Sequence, residues 1–311
     1  MLPCRADSFD KGLLFSYANF VLRHWPSCEV PLWAVQYRMR QIRENMLTKE
    51  LSSLTKDVEV LRVTGDRCRS TRVSVVREIP LTIFLNDREI ITLLCTGSHI
   101  DRLAVGFLKS EGLLQQRSNL QNVETDPKGE TVRVYTNEST EMAEHLFGKR
   151  TLTSGCGKGT IFYNVLDSLQ SQPLENQLTI KANQVRKLMT ELHKKSELYR
   201  LSRGVHNCGL ATTKKILIFH ADIGRHNAVD MIIGECFLKE LDTTDKILVT
   251  TGRITSEILI KAAKMKIPML ISRSAATSLS LDLAHNLNMT IIGYVRGGSI
   301  LAYAGGENLI C

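Results

Sequence analysis

Short alternating runs of apolar and polar residues fill the chain between residues 58 and 95, and a period of two is typical of half-buried strands. Apolar residues then recur at helical spacing over 101–112, and another alternating run follows at 131–136. Residues 61–150 are therefore expected to form a small β-rich domain with one main helix. The first four strands are expected at 58–63, 74–78, 81–86 and 89–95, with a hairpin turn at Asn86 between the last two.

The pattern changes in the last third of the chain, where short and strongly apolar runs alternate with stretches of helical length. The middles of these runs are continuously apolar, as expected when helices cover both faces of a sheet. This alternation predicts an α/β domain over 151–311 with a parallel sheet and right-handed crossovers. The expected strands are 215–220, 246–251, 268–272, 289–295 and a final hairpin strand at 300–303; the expected helices are 140–147, 161–169, 181–195, 227–241, 256–266 and 278–288.

Residues 1–60 follow neither pattern. They contain the only two tryptophans of the sequence, Trp25 and Trp33, next to prolines, and then a charged stretch of helical character over 34–54. We interpret them as an N-terminal extension that either packs on the body or is partly disordered. No function is assigned to it.

Composition and charge narrow the class of protein. With 43% hydrophobic and 23% charged residues, the chain resembles an ordinary soluble globular protein, and no apolar run is long enough to cross a membrane. The eight cysteines include no Cys-x-x-Cys pair, which argues against a zinc site and a disulfide framework and favours the cytoplasm. The net charge of +8 favours an anionic partner, which could be a nucleotide-bearing ligand, nucleic acid or an acidic protein surface. The alternative is a solvated basic surface with no partner.

A glycine-rich stretch over 151–160 contains the first candidate for chemistry, Cys156. Gly155 and Gly157 flank the cysteine and allow close approach of another molecule, and Lys158 supplies a positive charge. A nearby cation lowers the pKa of a thiol and so favours the reactive thiolate. Cys156 is therefore a candidate nucleophile, and the alternative is a glycine loop with an inert thiol.

The second candidate is the set of junctions that follow the predicted strands. In an open α/β sheet, ligands bind beyond the carboxyl ends of the strands, where helix N-termini offer free N–H groups. Each of four strand ends carries an arginine, whose planar fork suits phosphate. Any single junction is adequately explained as a helix cap, but together they favour a phosphate or nucleotide pocket. The candidate residues are Asp222, Gly224, Arg225, His226, Arg253, Ser272, Arg273, Ser274, Arg296, Gly297, Gly298 and Ser299.

Known nucleotide and metal motifs are absent from the sequence. There is neither Gly-x-Gly-x-x-Gly nor a Walker A motif. His226 could stack on a base, donate to a phosphate or cap a helix, and His206 could be a core histidine. His206 and Cys208 have no further ligand cluster nearby, so no metal site is expected. The zinc deaminase motif is also absent.

Several motifs occur in order along the chain. They are 103–108 with 111–112, Cys156 in its loop, 204–206, Asp-Ile-Gly-Arg-His-Asn at 222–227, 228–230, 252–253, 274–278 and 293–297. Together they resemble the FdhD/NarQ family of formate dehydrogenase accessory sulfurtransferases. The resemblance runs from about residue 62 to near the end, and its most specific part is the run at 222–227.

This resemblance implies a sulfur carrier that accepts a persulfide on Cys156 from a cysteine desulfurase. The sulfur would pass to a molybdenum or tungsten bis(guanine dinucleotide) cofactor needed by formate dehydrogenase. It also implies a C-terminal domain similar to the cytidine deaminase fold, a homodimer, and neither a tightly bound metal nor a nucleic-acid partner. The first and third junctions would hold the guanine ends, and the cofactor segment would run from Tyr294 through Val295 to Ser299.

One departure from the family pattern affects the expected mechanism. Many members have Cys-x-x-Cys in the loop, but Gly159 stands at the second position here, so no disulfide within that motif can release the sulfur. Two other functions stay open: a guanine-nucleotide or cofactor-binding chaperone without sulfur transfer, and a nucleotide-modifying hydrolase.

Overall fold

The computed structural model describes residues 37–38, 40–42, 51–137 and 173–311. The chain divides into two compact units, Met1–Glu50 and Leu51–Cys311. The described residues of the first unit are helical. The Cys156 loop and the helices expected at 140–147 and 161–169 lie outside the described residues. In the part of the chain that the structure describes, no helix has the length and apolar character needed to span a membrane.

The β-rich half of the second unit contains a two-stranded ribbon and a four-stranded sheet. The sheet has the order β4-β3-β6-β5, in which β3 and β6 are parallel and are connected through β4, the helix α1 and β5. Apolar residues of β3, β6 and α1 form one core with Leu81, Leu103 and Val132 fully buried. The elements are β1 Thr55–Thr64, β2 Arg67–Val76, β3 Ile79–Leu85, β4 Arg88–Cys95, α1 Ile100–Glu111, β5 Leu120–Thr125 and β6 Thr131–Thr136.

Two details of this half differ from the sequence-based expectations. The ribbon is longer than expected, because β2 already begins at Arg67, whereas the strand was expected to begin at residue 74. It ends at Val76, slightly before the expected end at residue 78. Strand β5 was not expected at all, because only Leu120 and Val123 of its six residues are apolar. It is an edge strand with most side chains exposed, so its pairing with β6 leaves little trace in the apolar pattern.

The α/β half is built on a six-stranded sheet with helices on both faces. Helices α4, α5 and α6 share one core with the sheet, and α2 packs on the other face. Its elements are β7 Ile180–Lys181, α2 Ala182–Lys195, α3 Glu197–Ser202, β8 His206–Ala211, β9 Ile216–Asp222, α4 Arg225–Leu238, β10 Ile247–Thr250, α5 Ser256–Lys264, β11 Met269–Ser272, α6 Ser278–Asn286, β12 Thr290–Arg296, β13 Ser299–Ala304 and β14 Leu309–Ile310.

The sheet is mixed, and the expectation of a parallel sheet is therefore wrong in part. The order is β13-β12-β11-β10-β8-β9, in which β10, β11 and β12 are parallel. Strand β8 lies between β9 and β10 and is antiparallel to both. It was not expected because it begins with His206 and Asn207 and contains Gly209. A Cβ at Gly209 would lie 3.1 Å from side-chain atoms of Ile216 and Leu192, so glycine allows close packing there.

Helix α4 is the central helix of the structure, with residues 227–237 all buried. It crosses α1 at two glycines. A Cβ at Gly106 would lie 1.7 Å from the carbonyl oxygen of Asp230, and one at Gly234 would lie 2.0 Å from that of Arg102. Neither position accepts a side chain, so the two backbones meet directly. The crossing joins the β-rich half to the α/β half.

Buried polar groups beside the crossing are paired, and two of the pairs, Ser110 with Asp230 and Arg102 with Glu235, lie across it. The Ser110 hydroxyl donates to Asp230 at 2.6 Å, and Lys261 donates to the same carboxylate at 2.6 Å. Glu235 lies 2.7 Å from His220 and 3.4 Å from Arg102. Burial raises the pKa of Glu235, but hydrogen bonds from His220 and Lys239 and nearby positive charges lower it to a net value of about 2.

Replacing Gly234 by alanine is expected to lower the free energy of unfolding by about 3 kcal/mol, because the new methyl group overpacks the helix crossing. Urea unfolding followed by circular dichroism measures the change. Gly306→Ala is the matched control, since a Cβ there meets nothing closer than 3.9 Å. Equal stability of the two variants would contradict the close contact.

Glu235→Gln tests the buried carboxylate through pH. A folded-state pKa of about 2, below the ordinary 4.5, means that ionised Glu235 stabilises the fold above pH 4.5 and that this stability is lost as pH falls toward about 2. The variant should therefore be less stable than wild type at neutral pH but lose less stability on acidification. Thermal unfolding midpoints at neutral and acid pH measure both effects, with exposed Glu240→Gln as control. Parallel pH profiles would refute the assignment.

Candidate functional site

The carboxyl ends of β9, β10 and β11 and the amino end of β8 lie side by side at one end of the sheet. Thr250, the last residue of β10, pairs with Ser272 of β11 and with Cys208 of β8. At the next strand, His206 pairs with Asp222. The junctions predicted from the sequence as a ligand site therefore follow neighbouring strand ends, at the end of the sheet where α/β proteins bind ligands.

Short hydrogen bonds hold these junctions against one another. The Asn207 N–H donates to the Thr251 hydroxyl at 3.0 Å, and the Thr251 N–H donates back to the Asn207 carbonyl at 3.0 Å. The hydroxyl of Ser272 donates to the Gly252 carbonyl at 2.6 Å and accepts from the Ser274 N–H at 2.9 Å. Ser272 is fully buried. Its hydroxyl thus joins two junctions.

Asp222 also joins separate segments of the chain. Its buried carboxylate accepts hydrogen bonds from the Thr96 N–H at 2.8 Å, the Thr96 hydroxyl at 3.0 Å, the Gly224 N–H at 3.0 Å and the Asn227 amide at 2.8 Å. Burial raises the pKa of Asp222 more than these four donors lower it. Thr96 could not be predicted from the sequence as a partner of Asp222, because it lies 126 residues away in the β-rich half.

A cluster of cationic groups forms at the start of α4. The stem of Arg225 packs so closely on Gly252 that a Cβ there would lie 2.8 Å from the arginine Cβ. Burial lowers the pKa of His206, and the charges of Arg225, His226 and Arg253 lower it further. We call Arg225 and Arg253, together with the imidazoles of His206 and His226 beside them, the cationic cluster. Because it lies at a helix N-terminus, the helix dipole adds to its attraction for an anion.

Glu257, at the start of α5, is the carboxylate that accompanies this cluster. Its Oε2 lies 2.8 Å from Nε2 of His226, although that ring nitrogen has no well-aligned hydrogen-bond partner among the described residues. Burial opposes ionisation of Glu257, but His226, Lys261 and Arg225 together hold its pKa below the ordinary value. The sequence offered no signal for Glu257 beyond its place in the first turn of a helix.

The remaining two arginines point elsewhere. Nη1 of Arg273 donates to Nε2 of His193 at 2.8 Å, and His193 belongs to α2. The guanidinium of Arg296 stacks 3.8 Å above the ring of Tyr294, a residue in the left-handed region with φ of 56°. The expected convergence of four arginines is therefore found for Arg225 and Arg253, while Arg273 is directed to the opposite face.

The segment from Tyr294 to Ser299 forms the end of β12 and the turn into β13. The Tyr294 N–H donates to the Ser274 carbonyl at 2.9 Å, which connects this segment to the third junction. Gly297 and Gly298 both have positive φ and make the two-residue turn, and Arg296 pairs with Ser299 across it. Val295 is buried. Tyr294 and Arg296 therefore form an exposed aromatic and cationic surface near the junctions.

Other groups with potential chemistry were also located. Burial raises the pKa of the Cys95 and Cys236 thiols to about 12, so both are unreactive. Both polar atoms of the Asn207 amide and the hydroxyl of Thr255 are buried without a hydrogen-bond partner in the described ranges. No group of three or more potential metal ligands occurs within the described residues. Cys156 itself lies outside them.

Comparison with known proteins identifies the family. The model of the FdhD/NarQ family matches residues 76–310. The chain belongs to the FdhD/NarQ family.

Members of the FdhD/NarQ family from several bacteria are similar to this chain over most of their length. This chain is 41% identical to the sulfur carrier protein FdhD of Bacillus pumilus, over 74% of this chain and 87% of that protein. The corresponding protein of Staphylococcus aureus strain MRSA252 is 34% identical, over 83% of this chain and 98% of its own.

A solved structure shares the fold. It comes from Desulfotalea psychrophila, is described as a formate dehydrogenase accessory protein and matches with a TM-score of 0.66 at 22% identity, covering 83% of this chain and all of that one. The resemblance of the FdhD/NarQ-family C-terminal domain to the cytidine deaminase fold stays a prediction.

Proposed function

We propose that this chain is a sulfur carrier of formate dehydrogenase maturation. It accepts sulfur as a persulfide on Cys156 and transfers it to a molybdenum or tungsten bis(guanine dinucleotide) cofactor. Membership of the FdhD/NarQ family supports this, as do relatives named sulfur carrier proteins. The observation that carries the proposal is the cationic cluster at the sheet edge.

The cluster fits the anionic part of such a cofactor. Each guanine dinucleotide carries a pyrophosphate, and Arg225 and Arg253 offer planar donors for its oxygens. His226 lies beside them, with its Nε2 at 2.8 Å from Oε2 of Glu257. The N-terminus of α4 supplies free N–H groups. The stacked pair of Tyr294 and Arg296 offers a flat surface to a guanine ring.

The sulfur chemistry takes place in two balanced steps. The Cys156 thiolate attacks the outer sulfur of a persulfide on the donor; the donor S–S bond breaks, and the donor cysteine leaves as a thiolate. In the second step the outer sulfur of the Cys156 persulfide bonds to the reduced metal of the cofactor substrate. The metal supplies two electrons to the transferred sulfur. The S–S bond breaks, and the electron pair of that bond stays on the sulfur of Cys156, which becomes a thiolate again.

Gly159 requires that Cys156 works without a second cysteine in its motif. The second step above returns the free thiolate directly, so it needs no disulfide to release the sulfur. Lys158, two residues away, stabilises the anionic sulfur in both steps by its positive charge.

The proposed partners rest on the family resemblance and agree with this chemistry. A cysteine desulfurase donates the sulfur, formate dehydrogenase receives the finished cofactor, and the carrier works as a homodimer in the cytoplasm. The protein is not proposed to keep a metal of its own, because the metal arrives and leaves with the substrate.

Incubation with a cysteine desulfurase and cysteine is expected to increase the intact mass of the protein by one sulfur atom. Cys156→Ser should abolish the increase because it removes the attacking thiolate. Cys68→Ser is the matched control, since Cys68 is an exposed thiol. If sulfur is added equally to the Cys156→Ser variant, the transfer model is wrong, and a cofactor-binding chaperone becomes the better account.

Binding of GDP, measured by calorimetry, tests the cationic cluster separately. Arg253→Ala and His226→Ala are each expected to weaken binding by about tenfold, because each removes a charge-assisted contact to phosphate. Arg273→Ala is the matched control, because that arginine is hydrogen-bonded to His193 of α2, away from the cluster. Unchanged affinity in the first two variants, or an equal loss in the control, would show that the cluster does not bind the nucleotide.

A further inference from the structure

The ribbon formed by β1 and β2 carries a second surface that the proposed sulfur transfer does not use. All ten residues from Leu61 to Ser70 are exposed, although the eight on either side of the turn at 65–66 are regularly paired in the ribbon. The base is held to the body: the Arg77 N–H donates to the Leu54 carbonyl at 2.8 Å, and Val76 packs against Gly204. We call residues 61–70 the distal ribbon.

The two faces of the distal ribbon differ in chemistry. Directly opposed residues share a face, and Arg62 opposes Arg69 while Arg67 opposes Thr64. These three arginines form the arginine face. The other face carries Leu61, Val63 and Cys68, with Leu61 66% and Val63 61% exposed. We call it the aliphatic face.

The arginine face is unfavourable for the isolated ribbon. Like charges directly opposite each other on a strand pair are destabilising. The other face carries an oppositely charged pair nearer the base, where Arg72 opposes Glu59. On the arginine face Arg62 lies directly opposite Arg69, and none of the paired residues on that face is acidic. A carboxylate beside them on the same face would remove the repulsion.

The ribbon is also a sheet of only two strands, so each strand has an open edge in the described structure. Open edges pair with further strands, and a strand added there sends alternate side chains to the two faces. We propose that the distal ribbon takes up an extended segment of a protein partner in which acidic and apolar residues alternate. The acidic residues then lie beside the arginine face and the apolar residues beside the aliphatic face.

Other occupants match only part of this surface. A second copy of the ribbon would place arginines beside arginines, which is repulsive. Nucleic acid would engage the arginine face but leave Leu61 and Val63 in water. A membrane would require the aliphatic face to enter lipid together with the turn, which carries Asp66, while the arginines point away. An alternating acidic and apolar strand satisfies both faces at once.

The proposal is tested by binding of labelled peptides to the full chain, measured by fluorescence anisotropy. The peptides have about ten residues, the length of a long strand. The first peptide alternates Glu and Leu. Controls have the same composition in blocks, or alternate Glu with Ser, or Lys with Leu. The alternating Glu–Leu peptide is expected to bind about tenfold tighter than each control, because it alone matches both faces in a strand conformation.

Charge reversal provides the decisive variant. Arg62→Glu with Arg69→Glu should weaken Glu–Leu binding by about tenfold and create binding of the Lys–Leu peptide. Lys128→Glu with Lys214→Glu changes the net charge equally at exposed turns and should change neither affinity. Unchanged thermal midpoints are expected, since the distal residues are exposed.

Three results would overturn the proposal: equal binding of alternating and block peptides, unchanged affinity after the reversal, or ribbon-dependent binding that is stronger for duplex DNA or phosphatidylglycerol vesicles. Each leaves the persulfide and GDP measurements unaffected. Failure here is therefore distinguishable from failure of the proposed sulfur transfer.

Discussion

The contact between α1 and α4 through Gly106 and Gly234 determines how the described halves of the second unit fit together. At each glycine the opposing backbone occupies the place where a Cβ would be. Because the helices touch directly, Ser110 reaches Asp230 and Arg102 approaches Glu235. Buried charges of this kind are tolerated only when their partners are in place, so the polar pairs and the close packing depend on each other.

The same contact sets the position of the candidate site. Helix α4 starts at Arg225, and Asp222 just before it accepts two hydrogen bonds from Thr96 of the β-rich half. The start of α4 is thus held from both sides. The charges that lower the pKa of His206 repel one another, and Glu257 offsets them only in part. Holding like charges together in this way costs stability, and such local conflicts are common at functional sites.

Particular elements show how far the sequence could predict this structure. The helix of the β-rich half and the alternating strands and helices of the α/β half were expected, because each has a strong apolar period. Strands β5 and β8 were not expected. In β5 the exposed edge needs few apolar residues, and in β8 polar residues at the start and Gly209 hide the strand. The direction of β8 turned an expected parallel sheet into a mixed one.

For the candidate site, the sequence by itself determined which segments are candidates for chemistry. Strand-to-helix junctions rich in arginine, glycine and hydroxyl residues are recognisable locally, and so is a cysteine between glycines. Only the tertiary structure decided what each side chain does: Asp222 and Ser272 join segments, Arg225 and Arg253 share a cluster with His206, and Arg273 pairs with α2. Periodicity reports which face of an element is buried, whereas the direction of a long polar side chain depends on partners that are distant in the chain.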